Sequence, residues 1–139
     1  MARTVADVMT KDPVAMSADS SLVEAAKAMS DFRIGSVVVM EKDKPCGIVT
    51  DRDIAVKAVA TGGDPSTTRL ADICSRDLAA VRPDQSVDDA IKVMKSYDVK
   101  RVLVMTDSKL EGIVSLGDLT SRGMGEDLQD DLSKAEPNN

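Results

Sequence analysis

Two short stretches of the chain carry a hydroxyl and a carboxylate at the same spacing. Thr50 is followed three residues later by Asp53, and Ser115 by Asp118. Each hydroxyl residue ends an apolar run of strand length and precedes a predicted helix. Free N–H groups and the helix dipole favour an anion such as phosphate at that point. A carboxylate in the first turn can accept hydrogen bonds from two adjacent hydroxyls, as on a ribose.

Helix capping explains the same residues without a ligand. A Ser or Thr before a helix caps its free N–H groups, and an acidic residue three positions later completes the cap. The sequence leaves the capping and the ligand-binding interpretations open for both pairs. Asp51 and Asp53 could also hold a magnesium ion that arrives with a nucleotide, although an exposed acidic pair is the simpler interpretation.

The two stretches belong to an internal repeat. When the chain is shifted by 65 residues, Val5 to Ala55 aligns with Leu70 to Thr120 without a gap, and 17 of the 51 pairs are identical. A match of this length in constant register indicates one structural unit that occurs twice.

Both repeats predict the same order of elements. Ser21 with Glu24, and Ser86 with Asp89, indicate the start of a helix, because apolar residues follow at helical spacing. Two short apolar strands separated by a polar turn come next, and a second helix follows. The predicted ranges are 36–40 and 47–49 for the strands of the first repeat, 101–105 and 112–114 for those of the second, and 52–60 for the clearer second helix.

The predicted fold class is α/β (α+β), with two pseudo-symmetric units of helix, strand, strand and helix, each behind a short N-terminal segment. Neither repeat can cover its own sheet, so we expect the two to pack as one module. We place the first unit at residues 1–60, a turn-rich linker at 61–69 and the second unit at 70–124. The acidic residues 125–139 are expected to form a tail without fixed structure.

Composition excludes several classes of function. The formal net charge of −6 does not suit a nucleic-acid binder, which needs a basic face. No apolar run reaches the roughly 18 to 20 residues of a membrane span, and the N-terminus does not resemble a signal peptide. We therefore expect a cytoplasmic protein that contacts neither nucleic acid nor membrane. Cys46 and Cys74 fit buried thiols, and a disulfide between them stays open.

Catalysis is not expected from these residues. The chain has no histidine, which is the commonest general base and metal ligand. Neither cysteine has a partner in the sequence that would activate it as a nucleophile. We predict no catalytic residue, no metal site and no required cofactor.

The doubled motif resembles that of CBS domains, the cystathionine beta-synthase type, which occur in pairs known as Bateman modules. The motif is glycine, two apolar residues, Ser or Thr, two variable residues and Asp, which occurs as Gly47 to Asp53 and as Gly112 to Asp118. The resemblance covers about residues 4–122 and implies a stand-alone CBS pair that acts as a regulatory, ligand-sensing module.

The resemblance also implies a class of ligand. CBS pairs commonly bind adenosine-containing molecules such as AMP, ADP, ATP, S-adenosylmethionine or NAD in clefts between the two units. Asp53 in one cleft and Asp118 in the other are expected to hold the ribose, with Thr50 and Ser115 near the phosphate. The remaining expected binding residues are Arg52, Arg69, Val99, Lys100 and Arg101 at the first cleft, and Thr4, Ile34, Gly35 and Gly117 at the second.

The two clefts are not expected to be equivalent. Lys100 and Arg101 stand where the first repeat has Gly35 and Ser36, so a basic pair is available for phosphate groups at one cleft. The family resemblance further implies a homodimer formed through helices, and an unidentified effector protein is compatible with a regulatory role. A structural or interaction module with empty or vestigial clefts stays as the alternative.

Overall fold

The computed structural model describes residues 3–121 and divides them into two compact units. One unit consists of residues 14–78, and the other combines residues 3–13 with residues 79–121. The predicted tail at 125–139 lies outside the described residues. The compact units therefore do not coincide with the sequence repeats, because each takes in a segment of the other repeat. The domain boundaries at residues 60, 69 and 124 remain a prediction.

Short helices and strands make up most of the described chain. In chain order they are α1 (Val5–Val8), β1 (Thr10–Lys11), β2 (Ala15–Ser17), α2 (Leu22–Phe32), β3 (Ser36–Glu41), β4 (Lys44–Thr50), α3 (Asp51–Asp53) with a π-helical continuation (Ile54–Val59), α4 (Leu70–Ile73), β5 (Ala80–Val81), α5 (Val87–Tyr97), β6 (Arg101–Thr106), β7 (Lys109–Ser115) and α6 (Leu116–Ser121).

The unit of residues 14–78 is built on a three-stranded sheet in the order β2-β3-β4. β2 runs parallel to β3, and β3 and β4 form an antiparallel hairpin. Lys42 and Asp43 at its turn both have positive φ, as a two-residue turn that follows the strand twist requires. Buried aliphatic residues form the core of this unit: Ala18, Leu22, Ala25, Met29, Val37, Val39, Val49, Ala58, Leu70 and Ile73.

The second unit repeats this plan with one more strand. Its sheet has the order β1-β7-β6-β5, in which β5 is parallel to β6, and β1 and β6 are antiparallel to β7. Its core is also aliphatic: Val5, Val8, Ala79, Val81, Val87, Ala90, Ile91, Met94, Val102, Val104, Val114 and Leu119. Each compact unit thus has a core of its own.

The repeats exchange their N-terminal segments, which we call arms and define as residues 3–13 and 70–78. The arm of the first repeat pairs with the second repeat, since Thr10 lies opposite Ile113. The arm of the second repeat pairs in turn with the first repeat, because Ser75 forms an antiparallel bridge with Ile48. As expected, neither repeat completes a core alone, because each core includes residues from the arm of the other repeat.

The two long helices begin as predicted. Ser21 Oγ accepts a hydrogen bond from Glu24 N, and Glu24 Oε1 accepts one from Ser21 N. In the second repeat Ser86 Oγ accepts a bond from Asp89 N. These contacts satisfy N–H groups that have no partner within the helix, and they confirm the capping interpretation for α2 and α5.

The predicted linker is attached to α2. The carbonyl oxygens of Thr68 and Pro65 accept hydrogen bonds from Leu22 N and Val23 N, both at 3.1 Å. Within the linker, Asp64 accepts bonds from the N–H and hydroxyl of Ser66, which lower the pKa of its carboxyl. Residues 61–69 therefore complete the N-terminus of α2 as well as joining two repeats.

The predicted second helix of the first repeat differs from an ordinary α-helix. Residues 54–59 form a π-helical stretch, in which Ala60 N donates to Ala55 O and Gly63 N to Ala58 O. Such stretches are rare and occur often at functional sites. Within this stretch Ala58 is buried, whereas Val56 and Val59 are exposed.

Candidate functional site

The first motif places a capped helix directly at the end of a strand. β4 ends at Thr50 and α3 begins at Asp51, with no loop between them. Thr50 Oγ1 accepts a hydrogen bond from Asp53 N at 3.0 Å, and Asp53 Oδ2 accepts one from Thr50 N at 2.9 Å. Thr50 is buried, at 5% exposure. The two reciprocal bonds with Asp53 provide partners for both its hydroxyl and its N–H group.

The second motif has the same geometry. Ser115 Oγ accepts from Asp118 N at 3.1 Å, and Asp118 Oδ2 accepts from Ser115 N at 2.9 Å. The capping interpretation of both motifs is confirmed. Capping does not exclude a ligand at Asp53, because an ionised carboxylate offers about four acceptor positions and the cap uses one.

Lys57 contacts the first motif, and the sequence interpretation missed it. Its Nζ lies 3.3 Å from Asp53 Oδ1 and donates to the carbonyl oxygen of Ile73 at 3.3 Å. The signal was present in the sequence, since a cation four residues after an acid on a helix can pair with it. The side chain of Asp53 is 18% exposed and that of Lys57 46% exposed, so the pair lies at the surface of the unit.

The motif glycines are required by the exchanged arms. A Cβ at Gly47 would lie 2.7 Å from Cys74 Sγ and 2.8 Å from the carbonyl oxygen of Ser75. A Cβ at Gly112 would lie 2.7 Å from Met9 Sδ and 2.8 Å from Thr10 O. A side chain at either position would force the arm to shift, so the glycine of each motif lets the arm approach its strand.

Residues at the start of each central strand lie beside the motif of their own unit. Asp51 N donates to Gly35 O at 3.0 Å, and Leu116 N donates to Lys100 O at 2.9 Å. The next residues are cross-strand partners: Ser36 lies opposite Thr50, and Arg101 opposite Ser115.

The candidate binding residues divide between the two compact units. The unit of residues 14–78 holds Ile34, Gly35, Thr50, Arg52, Asp53 and Arg69. The other unit holds Thr4, Val99, Lys100, Arg101, Ser115, Gly117 and Asp118. The expected pairing of Asp53 with Val99, Lys100 and Arg101, and of Asp118 with Ile34 and Gly35, joins residues of different units and stays a prediction.

Arg69 and Thr4 stand at equivalent positions in front of the two arm helices. The N–H of Arg69 donates to Asp72 Oδ2 at 2.9 Å, while its guanidinium lies 3.4 Å from Asp19 Oδ1. Thr4 N donates to Asp7 Oδ2 at 3.0 Å, and this bond lowers the pKa of the Asp7 carboxyl. Arg69 is therefore the N-cap residue of α4, and Thr4 is the N-cap residue of α1.

The cysteines are free thiols that pack partly buried against the core of the 14–78 unit. Burial raises the pKa of the Cys74 thiol, which disfavours the reactive thiolate at neutral pH. Among residues 3–121, no group of Cys, Asp and Glu side chains could hold a metal ion. Within the same residues, no helix combines the length and apolar character needed to cross a membrane.

Comparison with known proteins identifies the doubled motif. The family profile described as CBS domain matches residues 5–59 and 70–125. The chain belongs to the CBS-domain family. Paired CBS domains are regulatory modules, and members of the family bind adenosine-containing ligands.

Relatives and a solved structure agree with this assignment. The CBS domain-containing protein YhcV of Bacillus subtilis is 33% identical over 121 residues, which cover 87% of this chain and 86% of YhcV. The uncharacterized protein MK0525 of Methanopyrus kandleri is 36% identical over 118 residues, which cover 84% of this chain but only 60% of MK0525. The hexameric CBS-CP12 protein from bloom-forming cyanobacteria matches with a TM-score of 0.80 and 26% identity, covering 88% of this chain and 73% of that protein.

Proposed function

We propose that the protein is a regulatory sensor that binds AMP, ADP, ATP, S-adenosylmethionine or NAD in clefts between its CBS units, without catalysis. Asp53 and Asp118 hold the ribose of the ligand, and Thr50 and Ser115 lie near its phosphate. The observation that carries the proposal is the doubled strand-to-helix junction, in which a hydroxyl and a carboxylate are fixed at 2.9–3.1 Å from each other's N–H groups.

Fixed carboxylates favour binding of a vicinal diol. A carboxylate that is already held by a backbone N–H loses little rotational freedom when a ligand binds, so less free energy is lost on ordering. Hydrogen bonds to an ionised acceptor are also stronger than bonds between neutral groups. These two effects support the ribose assignment for Asp53 and Asp118.

The two sites are expected to bind nucleotides with different affinities. Lys100 and Arg101 contribute positive charge to the ligand held by Asp53, together with Arg52 and Arg69 of its own unit. Gly35 and Ser36 replace the basic pair at the other site. The Asp53 site is therefore the tighter site for ligands that carry more phosphates.

A structural module without a ligand is the second candidate function. It is favoured by the reciprocal caps, because they account for Thr50, Asp53, Ser115 and Asp118 through helix stability alone. Self-association belongs to both candidates. Its support is the exposure of Phe32 and Tyr97, at 64% and 57%, at equivalent ends of α2 and α5.

Titration calorimetry with a panel of these nucleotides separates the two candidates. The wild type should bind at least one ligand at millimolar concentration or below, and absence of binding would leave the structural module. Asp53→Ala should abolish the tighter site, whereas Asp118→Ala should affect a weaker one. Arg101→Ala should weaken binding roughly tenfold, most of all for ATP.

A matched control separates ligand binding from helix capping. Glu24 is also an acid that accepts a bond from the N–H of its helix cap, Ser21, at 3.1 Å, but it lies outside both motifs. Glu24→Ala should lower the melting temperature to an extent similar to Asp53→Ala and leave nucleotide affinity unchanged. Equal loss of affinity in both variants would assign the effect to stability.

A further inference from the structure

Both oxygens of the Asp53 carboxylate are engaged from within the unit. Oδ2 accepts from Thr50 N at 2.9 Å, and Oδ1 lies 3.3 Å from Lys57 Nζ. Within the described part of the chain these are the contacts of the two oxygens. The carboxylate is therefore held at two points, and rotation about its Cβ–Cγ bond would break both.

Counting acceptor positions shows that this arrangement leaves room for a diol. An ionised carboxylate offers about two acceptor positions on each oxygen. Thr50 N takes one position on Oδ2, and the ammonium group of Lys57 forms an ion pair beside Oδ1, so at least one acceptor position on each oxygen remains. Two adjacent ribose hydroxyls need one acceptor each.

Lys57 is itself held in place by an exchanged arm. Its second contact is the carbonyl oxygen of Ile73, the last residue of α4, and helix-end carbonyls lack a partner within the helix. α4 packs into the core of the same unit through Leu70 and Ile73. The ammonium group therefore spans from a fixed carbonyl to the carboxylate.

We propose that Lys57 is a positioning residue that orients the Asp53 carboxylate for a vicinal diol of the ligand. This rests on the proposed function and adds a specificity determinant to it. Lys57 fixes Oδ1 as Thr50 N fixes Oδ2, so that the remaining acceptor positions on the two oxygens are presented together. Loss of Lys57 frees the carboxylate to rotate and reduces the advantage of a ligand with two adjacent hydroxyls.

The test compares ligands with and without the diol. AMP and ATP are titrated beside their 2′,3′-dideoxy analogues, with wild type, Lys57→Met and Lys57→Arg as full-length proteins. Lys57→Met should weaken binding of AMP and ATP by about two- to tenfold, the cost of one freed side chain, and leave the dideoxy analogues unchanged. Lys57→Arg keeps the charge and the donors and should restore most of the preference.

Lys27→Met is the matched control for the loss of charge. Lys27 is exposed on α2 in the same unit, and its removal should not alter the preference for the diol. An equal loss of affinity for ribose and dideoxy ligands in Lys57→Met, or no loss for either, would overturn the positioning role alone. If the wild type binds no ligand of the panel, the proposed function is rejected and the role of Lys57 with it.

Discussion

The seven residues of the motif serve two structural purposes: some residues start a helix, and the glycine leaves space for the arm. Thr50 and Asp53 join a strand to a helix through reciprocal hydrogen bonds, whereas Gly47 leaves space for the arm that packs against the strand. The glycine is therefore tied to the arm exchange, and the hydroxyl and the acid are tied to the start of the helix.

We predict that Gly47→Ala and Gly112→Ala each lower the free energy of unfolding by about 1–3 kcal/mol, as overpacking does. The new methyl would meet a backbone carbonyl at 2.8 Å in both cases, and a paired backbone cannot move aside without breaking the pairing of the arm. Urea denaturation followed by circular dichroism measures the change.

Gly117→Ala provides the control in the same chain. A Cβ there would meet Ser115 Oγ at 3.6 Å, which is ordinary contact, and Gly117 lies within α6. Its stability should be unchanged or higher by up to about 1 kcal/mol, the usual gain for alanine over glycine in a helix. Losses of equal size at all three glycines would contradict the steric explanation.

At this scale the sequence predicted the residues that cap helices, but not the reason for the motif glycines or the contact of Lys57 with Asp53. The spacing of Ser21 and Glu24 identified a cap because capping depends on neighbours in the chain. The need for glycine at position 47 depends on Cys74 and Ser75, which approach it through the fold. No local pattern contains that information.

At the scale of elements, the arms couple each repeat to the other. α1 supplies Val5 and Val8 to the core built around α5, β6 and β7. α4 supplies Leu70 and Ile73 to the core built around α2, β3 and β4. Damage to an arm should therefore be felt in the repeat that receives it.

We predict a reciprocal result for two core substitutions. Leu70→Ala should accelerate amide hydrogen exchange in β3 and β4 more than in β6 and β7, although Leu70 belongs to the second repeat. Val5→Ala should accelerate exchange in β6 and β7 more than in β3 and β4. Leucine-to-alanine changes in cores cost about 2–5 kcal/mol, which is enough to increase local opening measurably.

Hydrogen exchange read by mass spectrometry or NMR resolves the four strands. If Leu70→Ala loosened mainly β6 and β7, the assignment of α4 to the 14–78 unit would be wrong. The two substitutions control for each other, because a general loss of stability would raise exchange in both sheets by the same factor.

The long helices and both hairpins were predictable because their apolar residues repeat at helical or strand spacing. The strands extend beyond the predicted 47–49 and 112–114 to Lys44–Thr50 and Lys109–Ser115, since Pro45 disfavours a strand and the charged residues Lys44, Lys109 and Glu111 interrupt the apolar runs. The π-helical stretch at Ile54–Val59 escaped prediction because its residues favour an ordinary helix equally well.

At the scale of the whole molecule, we predict a homodimer. Sedimentation equilibrium should give twice the chain mass of 14.8 kDa at micromolar concentration, since exposed aromatic residues at equivalent positions suit a symmetric contact. The double substitution Phe32→Ser and Tyr97→Ser should shift the mass toward the monomer. Lys44→Ser, exposed at the start of β4, should not, and a monomeric wild type would contradict the prediction.

The exchange of arms also bears on how such a chain could arise by gene duplication. A gene that encoded one repeat would specify a polypeptide whose own sheet edge and core lack the pieces that the arm of another copy supplies. Two such polypeptides would complete each other by swapping arms between molecules. Fusion of the duplicated genes would make that swap internal, and the two halves could then diverge, as Gly35 and Lys100 have.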